Sequence, residues 1–174
     1  MPANCAMQYR MHRIFCATPG DLEQECEVFY DAVCDVNGAR CMPHGLLLVA
    51  LSVPGTTVDK RPYQAAVGDN VRSCRYYVQI LEDTWGPAER NFEREYMLAL
   101  RCLDDPALPM QDVAIFFKKP LVPHQVDPRV SEFRERRRIQ GRLLEFDSPD
   151  QFRRLLDGVL AGWMATLVPA AASA

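Results

Sequence analysis

The sequence lacks the long apolar runs and the charge excess that mark membrane proteins and nucleic-acid-binding proteins. Its longest unbroken apolar run is Leu46–Leu51, six residues, whereas a membrane-spanning helix needs roughly twenty. The first ten residues contain no hydrophobic stretch long enough for a secretory signal. The net charge of −3 at pH 7 provides no overall field to attract DNA, RNA or an anionic membrane. We therefore predict neither a membrane nor a nucleic acid as partner.

The cysteines also lack a pairing pattern. The seven are scattered and odd in number, and none belongs to a Cys-x-x-Cys motif, so we predict reduced thiols. Cys41 and His44 have the spacing of a metal-binding pair, but no second pair accompanies them, so we predict no metal site. Cys16 is a candidate nucleophile beside His12 or His44. A buried, inert thiol at the end of a core strand is the preferred interpretation.

What the chain does contain is an alternation of short apolar runs and longer amphipathic segments. Its 174 residues are 48% hydrophobic, enough for one domain with a substantial core. We predict one cytoplasmic domain over residues 1–174, with frayed ends at 1–11 and 168–174. Helical patterns separate the predicted strands, which indicates a three-layer α/β sandwich with a five-stranded parallel sheet. The five strands are predicted at residues 13–17, 46–53, 76–81, 113–117 and 142–146.

Two of the predicted helices carry N-terminal capping signals. Thr18 is the predicted N-cap of the first, with Pro19 at the first helical position and Asp21 as the capping-box partner. We expect this helix to end near residues 37–38, an Asn-Gly pair suited to a C-cap. Residues 148–151 (SPDQ) repeat the signal at the last helix.

Glu95 lies inside the apolar stripe of the third predicted helix, residues 91–104. It follows Phe92 by three positions and precedes Ala99 by four, so all three fall on one face. A carboxylate held against apolar neighbours is either paired structurally or poised for chemistry. The stripe consists of Phe92, Tyr96, Ala99 and Leu103.

The expected fold places Glu95 near a ligand crevice. In a doubly wound sheet with flavodoxin-like strand order, the crevice lies between the carboxyl ends of the first and third strands. The segments there are residues 17–22 and 82–95, where helix N-termini offer free amide donors to phosphate or ribose. The structural alternative is that Glu95 forms an ion pair with Arg72 or Arg75.

The fourth predicted helix, residues 129–138, is densely charged. Four of its residues are arginines of one short run, interspersed with glutamates. The simplest interpretation is a solvated helix face, and the functional alternative is a surface for an acidic partner protein.

Four segments of the chain resemble one family of proteins. Residues 13–26 (RIFCATPGDLEQEC) resemble its opening pattern V-F-I-S-S-T-x-x-D-L-x-x-E-R. Residues 76–86 (YYVQILEDTWG) and 91–99 (NFEREYMLA) resemble a strand ending I-L-G-x-x-Y-G followed by S-x-x-E-x-E-Y-x-x-A. Residues 141–152 (GRLLEFDSPDQF) resemble its last strand and helix. The resemblance covers nearly the whole chain and points to an uncharacterised TIR-like family, similar to TIR domains and nucleoside 2-deoxyribosyltransferases.

This resemblance implies a flavodoxin-like fold and a catalytic role for Glu95. In both relatives a glutamate of this helix, four residues before a small residue, works on the ribose of a nucleotide or nucleoside. The implied activity is N-glycosidic cleavage, with NAD as the candidate substrate or ligand rather than a bound cofactor. Phe15, Thr18 and Asp21 match the motif that lines the ligand crevice in the relatives.

Three further residues complete the predicted ligand-binding set. Trp85 is the candidate aromatic wall, Asn91 stands where the family has a serine before the helix, and Glu93 lies in the same first turn as Glu95. Two residues of this set also have a purely structural interpretation. The capping-box spacing explains Asp21 as a helix cap, and Trp85 could equally cover the core.

The chain departs from the family pattern at several positions. Cys26 replaces an arginine, and Glu82 and Asp83 bring acidic charge to a turn where the family has glycine. The aspartate, glycine and threonine that precede the glutamate in deoxyribosyltransferases are missing, which argues against transfer between free nucleosides.

Two functions are predicted from these observations. The first is a nucleotide-directed signalling or defence domain that binds NAD or a related nucleotide and hydrolyses its glycosidic bond with Glu95. The alternative is a non-catalytic module of a signalling protein that works by self-association or by binding a partner protein. A weaker third prediction is a sensor that binds a small molecule in the same crevice without chemistry.

Overall fold

The computed structural model describes residues 8–19, 21–52, 63–86, 92–122 and 125–168. They form one five-stranded sheet in which every pair of neighbouring strands is parallel. The strand order is β2-β1-β3-β4-β5, which confirms the predicted α/β class and the flavodoxin-like order. The order reverses between β1 and β3, the point at which a ligand crevice is expected in such a sheet. The strands are β1 (Arg10–Ala17), β2 (Leu46–Leu51), β3 (Tyr76–Leu81), β4 (Asp112–Lys118) and β5 (Leu144–Phe146).

Helices cover both faces of the sheet and make it the middle of three layers. Two helices pack on one face and three on the other, and each face has its own buried apolar cluster. The central strand β3 is buried at all six positions, as expected for a parallel strand covered on both sides. One face carries α1 (Glu23–Val36) and α5 (Pro149–Leu167), and the other carries α2 (Tyr63–Ser73), α3 (Phe92–Asp104) and α4 (Pro128–Ile139).

The amino end of the sheet begins earlier than the sequence indicated. The Arg10 amide donates to the Gly45 carbonyl over 2.8 Å, and Arg10 pairs in register with Leu46. Residues 10 and 11, predicted to belong to a frayed terminus, are therefore part of β1. At the other side of the sheet, β5 is two residues shorter than predicted. The Arg142 amide donates to the Arg137 carbonyl and closes the end of α4 instead of joining the ladder.

The predicted start of the first helix is wrong. The Leu22 amide donates to the Pro19 carbonyl over 3.2 Å, and α1 begins at Glu23. Leu22 takes the N-cap position and is fully buried, so apolar packing sets the start of the helix in place of the Thr18–Asp21 capping box.

The α-helix itself ends as predicted, at Val36 with Asn37 in the C-cap position, but the Asn-Gly pair does not terminate the helical backbone. Helical backbone continues beyond Val36 through a π-turn and a 3₁₀ turn, and it ends only at Gly45, whose φ of 66° terminates it. Asn37 is used differently: its side chain donates to the Leu48 carbonyl and accepts from the Leu48 amide, at 2.8 and 2.7 Å. This amide bridge fastens the end of α1 to strand β2.

The last helix begins as predicted. Ser148 is its N-cap and accepts from the Gln151 amide, while the Gln151 side chain accepts from the Asp147 amide over 2.9 Å. Farther along α5, Trp163 stacks on Tyr76 with ring centroids 4.3 Å apart. Trp163 also donates to Asp112 over 2.7 Å. None of the helices in the described ranges has the length and apolar character needed to cross a membrane.

Candidate functional site

Helix α3 holds Glu95 at the position that the apolar pattern predicts. Glu95 is 2% exposed in the first turn, beside the buried Phe92, Tyr96 and Ala99. Leu103, the predicted last member of the stripe, is 36% exposed, and Cys102 is buried in its place. The residue three positions after Ala99 is therefore buried, whereas the residue four positions after it, which the pattern predicted, is not. Because α3 follows β3, its first turn lies at the carboxyl edge of the sheet, near the strand-order reversal.

A cavity of about 290 Å³ lies between α2 and α3, and Glu95 lines it. Three arginines line the same cavity, and their guanidinium groups give it a positive character around one carboxylate. An anionic group therefore meets both positive charge and a hydrogen-bond acceptor in this cavity. The arginines are Arg72, Arg94 and Arg101, and the apolar lining comes from Ala65, Val67, Gly68 and Leu98.

Only one of the two arginines proposed as structural partners lies near Glu95. Arg72 lines the same cavity and also approaches Asp69 at 3.9 Å. Arg75 is at the opposite edge of the sheet, directly before β3, where its Nε and Nη2 donate to Gln111 at 3.0 and 2.6 Å. The prediction of an ion pair between Glu95 and Arg75 is therefore wrong.

A second cavity, of about 680 Å³, lies on the other flank of α3, toward α4. Two predicted ligand-binding residues line it, Trp85 and Glu93. Trp85 is 3% exposed and contacts Tyr96 and Phe133, with ring centroids 6.3 and 5.1 Å away. Trp85 thus serves both as a lid over the core and as a wall of this cavity, which we call the α3–α4 cleft.

Among the remaining predicted ligand-binding residues, the three that the structure describes do not line either cavity. Phe15 is buried in the core and stacks on Tyr77 with ring centroids 5.9 Å apart. Thr18 is hydrogen-bonded to the Cys26 thiol, and Asp21 is exposed in the turn before α1. Asn91 lies outside the described residues. The structure thus brings together Trp85 and Glu93, and it places Glu95 on the opposite flank of α3.

A buried charge cluster at the carboxyl edge was missed in the sequence. Glu25 in the first turn of α1 is 1% exposed, and its Oε1 is 3.0 Å from Lys118 Nζ at the end of β4. Glu82, directly after β3, approaches the same ammonium group at 3.6 Å. Burial alone would lower the pKa of Lys118, but the hydrogen bond and charge of Glu25, with those of Glu82, raise it above its ordinary value.

The signal that reveals Glu95 would also have revealed Glu25. Glu25 follows the buried Leu22 by three positions and precedes the buried Phe29 by four, the same spacing that places Glu95 between Phe92 and Ala99. The departure from the family pattern at Glu82 has a structural explanation as well. Its carboxylate contacts Lys118, so the acidic turn neutralises a lysine.

A buried polar residue of β3, Gln79, also went unnoticed, because a strand covered on both faces shows no alternation. Gln79 is fully buried on the α2–α4 side of the sheet. It accepts a hydrogen bond from Tyr77 over 2.6 Å, and its amide nitrogen donates to the Ala17 carbonyl over 3.3 Å. This bridge joins β3 to the end of β1 at the point where the strand order reverses.

Cys16 has the properties of an inert core thiol. It is 3% exposed, and burial, together with the nearby Cys26, raises its pKa well above the ordinary value. A neutral thiol is a poor nucleophile, so the structure favours the structural interpretation of Cys16. The six cysteines in the described part of the chain are free thiols.

No family model matches the chain, and no curated protein matches it. Among solved structures, the chain is similar to one described as the metal-soaked Flv1 flavodiiron core from Synechocystis sp. PCC6803. The two are 9% identical with a TM-score of 0.49, and the match covers 94% of this chain and 38% of that chain. This chain therefore spans well under half the length of that structure. The assignment of the fold rests on the strand order and layers described above.

Proposed function

We propose that this chain is a TIR-like, nucleotide-directed domain that binds NAD or a related nucleotide at the Glu95 cavity and cleaves its N-glycosidic bond. The observation that carries the proposal is the composition of that cavity: one carboxylate buried in the first turn of α3, surrounded by Arg72, Arg94 and Arg101. Arginine guanidinium groups suit the phosphates of a dinucleotide, and the carboxylate suits its ribose.

The proposed chemistry requires a negative charge beside the ribose. The bond between C1′ and the nicotinamide nitrogen breaks, and its electron pair leaves with nicotinamide. The ring carbon that remains is oxocarbenium-like, and a carboxylate stabilises it as in glycosidases. A water oxygen then bonds to C1′ and releases one proton to solvent. The products are nicotinamide and ADP-ribose.

Nicotinamide release from NAD by the purified chain tests this proposal. We expect turnover by the unmodified protein, and a loss of about a thousand-fold in Glu95→Gln, within the range for a positioned catalytic carboxylate. Glu25→Gln is the matched control, because it removes an equally buried first-turn glutamate on the other face. Its turnover per folded molecule should stay within about three-fold of the parent, since Glu25 lies far from any reacting atom in this scheme.

Binding is measured separately, by thermal shift and calorimetry with NAD and ADP-ribose. Binding without turnover would support the sensor function in place of the hydrolase. If none of these nucleotides binds or reacts at any oligomeric state of the protein, the nucleotide proposal is wrong. A chain that then forms a defined oligomer would instead support the non-catalytic self-association module.

A further inference from the structure

The floor of the α3–α4 cleft is aromatic. Trp85, Tyr96 and Phe133 come from the turn after β3, from α3 and from α4, and they contact one another with ring centroids 5.1 to 6.3 Å apart. Their exposed fractions are 3%, 5% and 8%, so each ring is recessed beneath the rim. The volume of about 680 Å³ falls within the range of roughly 300 to 1,000 Å³ found for small-molecule sites.

The rim of the cleft is positive. Arg136, Arg137 and Arg142 line it, and the guanidinium carbons of Arg136 and Arg137 each lie 5.9 Å from the Phe133 ring centroid. Burial raises the pKa of Tyr96, and the charges of all three arginines oppose that rise, which shows that their positive field converges on the floor. A cleft of this composition favours a ligand that is both aromatic and anionic.

The three arginines of the cleft differ in their partners from the arginines of α4 that lie outside the cleft. Arg129 contacts Asp127 and Glu93, Arg134 contacts Glu145, and Arg138 contacts Glu135 and Glu145. Among the residues that the structure describes, no carboxylate pairs with Arg136, Arg137 or Arg142. The only side-chain hydrogen bond of these three within that set runs from Arg137 to Gln140, over 3.5 Å. Three guanidinium groups thus remain available to an external anion.

Two buried donors at the cleft also lack acceptors. Within the described residues, neither Trp85 Nε1 nor Arg137 Nε has a hydrogen-bond partner, and both atoms are inaccessible to solvent. A buried donor without an acceptor costs about 1 to 3 kcal/mol, so two at one cavity call for an explanation. An oxygen-bearing ligand that settles into the cleft supplies the missing acceptors.

We propose that the α3–α4 cleft binds a small, planar aromatic molecule that carries a phosphate or carboxylate group, such as a nucleoside monophosphate. The aromatic part lies on the floor of Trp85, Tyr96 and Phe133. The anionic group meets the rim arginines and accepts from the buried donors. This site is independent of the Glu95 cavity, because the two lie on opposite flanks of α3.

The full chain offers a site-specific reporter for this binding. It contains two tryptophans, so Trp163→Phe leaves Trp85 as the only one, and phenylalanine can keep the stacking on Tyr76. Titration of this variant with AMP should give a saturable change in Trp85 fluorescence. Adenosine and inorganic phosphate are titrated separately, and each should bind at least about ten-fold more weakly than AMP, because each supplies half of the recognised chemistry.

The arginine variants locate the site. Arg136→Met combined with Arg142→Met should weaken AMP binding by at least about ten-fold through loss of two charge-assisted contacts. Arg138→Met is the matched control, since Arg138 belongs to the same helix but contacts Glu135 and Glu145 outside the cleft. It should bind AMP as the parent does. Calorimetry with the unmodified chain repeats the key measurement without the tryptophan replacement.

Several results would overturn the inference. If AMP binding does not saturate below millimolar concentration in either assay, the cleft does not bind AMP and the inference is wrong. Equal affinity for phosphate and AMP would show that the aromatic floor plays no part. Binding abolished by Arg72→Met but kept by the double arginine variant would place AMP in the Glu95 cavity. Cleft binding without any NAD turnover, by contrast, supports this inference while the proposed hydrolase fails.

Discussion

Glu25 and Glu95 are two buried glutamates at matching positions on opposite faces of the sheet. Each lies in the first turn of its helix, three residues after a buried apolar side chain and four before another. Their exposed fractions are 1% and 2%. Glu25 is held at 3.0 Å by Lys118, which reaches over from the end of β4. Glu95 instead lines a cavity with three arginines.

The difference teaches how one local pattern serves two purposes. A lysine fixed at a strand end, with a second carboxylate at 3.6 Å, ties α1 to the sheet. Arginines around a cavity leave space for a ligand. A buried carboxylate therefore indicates a functional site only when a cavity lies beside it.

The largest expected effect comes from removing the partner of Glu25. Lys118→Met should lower the free energy of unfolding by about 3 kcal/mol, because it leaves the Glu25 carboxylate buried without its counter-ion. Arg72→Met, the corresponding change at the Glu95 cavity, should cost less than about 1 kcal/mol, since the Arg72 side chain is 54% exposed. Urea unfolding measures both.

A double variant tests the reason for this difference. Glu25→Gln combined with Lys118→Met removes the unpaired charge, so it should be more stable than Lys118→Met alone. If Arg72→Met proves as costly as Lys118→Met, the two glutamates have equivalent structural partners and the contrast between them fails.

The next largest effect, a loss of about 1 to 2 kcal/mol in the free energy of unfolding, is expected when Glu25, but not Glu95, is replaced by glutamine. Glu25→Gln should destabilise the protein by this amount through loss of a charge-assisted hydrogen bond to Lys118. Glu95→Gln should cost less, because Arg72, which lines the Glu95 cavity, is 54% exposed and is screened by solvent. Thermal and urea unfolding of both variants measure the difference in stability. Equal losses would indicate that Glu95 is a structural ion-pair residue.

The sequence predicts the layers and strand order well, because apolar runs of five to eight residues separated by amphipathic segments have few other solutions. It fails at element ends that tertiary contacts decide. Leu22 displaces the Thr18 capping box by packing into the core, and Asn37 bonds to a strand. The α3–α4 cleft could not be derived, since Trp85 and Phe133 meet only in the folded chain.

A smaller effect appears at alkaline pH on the Glu25 side of the sheet. The carboxylates hold the pKa of Lys118 above its ordinary value of 10.5. Below pH 10.5 both the folded and the unfolded chain carry the charge, and the stabilisation is fully present. As the pH rises through 10.5 toward the folded pKa, the unfolded chain loses its proton first and this stability is lost. Urea midpoints should therefore fall across this window.

Lys118→Arg is the control for this alkaline loss. Arginine stays protonated throughout the window, so its midpoints should fall less steeply than those of the parent. Identical slopes would show that other groups cause the alkaline loss and that Lys118 does not anchor Glu25 through its charge.

The smallest expected effect comes from His12, which lies on the same face of the sheet as Glu25. Its protonation contributes to any change in stability that is measured in acid. His12 is 8% exposed, and its Nε2 has no hydrogen-bond partner within the described residues. Burial lowers its pKa below 6.5, helped by the charges of Arg75 and Arg10. Above pH 6.5 both states are neutral, and as the pH falls below 6.5 the unfolded chain takes up a proton that the folded chain resists.

His12 thus destabilises the protein in mild acid, at a pH well above the range where carboxylates titrate. Urea midpoints should decline between pH 7 and 5 in the parent and decline less in His12→Leu, whose side chain has no proton to gain. An unchanged slope would mean that another group produces the decline. With His12 replaced, any loss of stability that remains at lower pH comes from other groups.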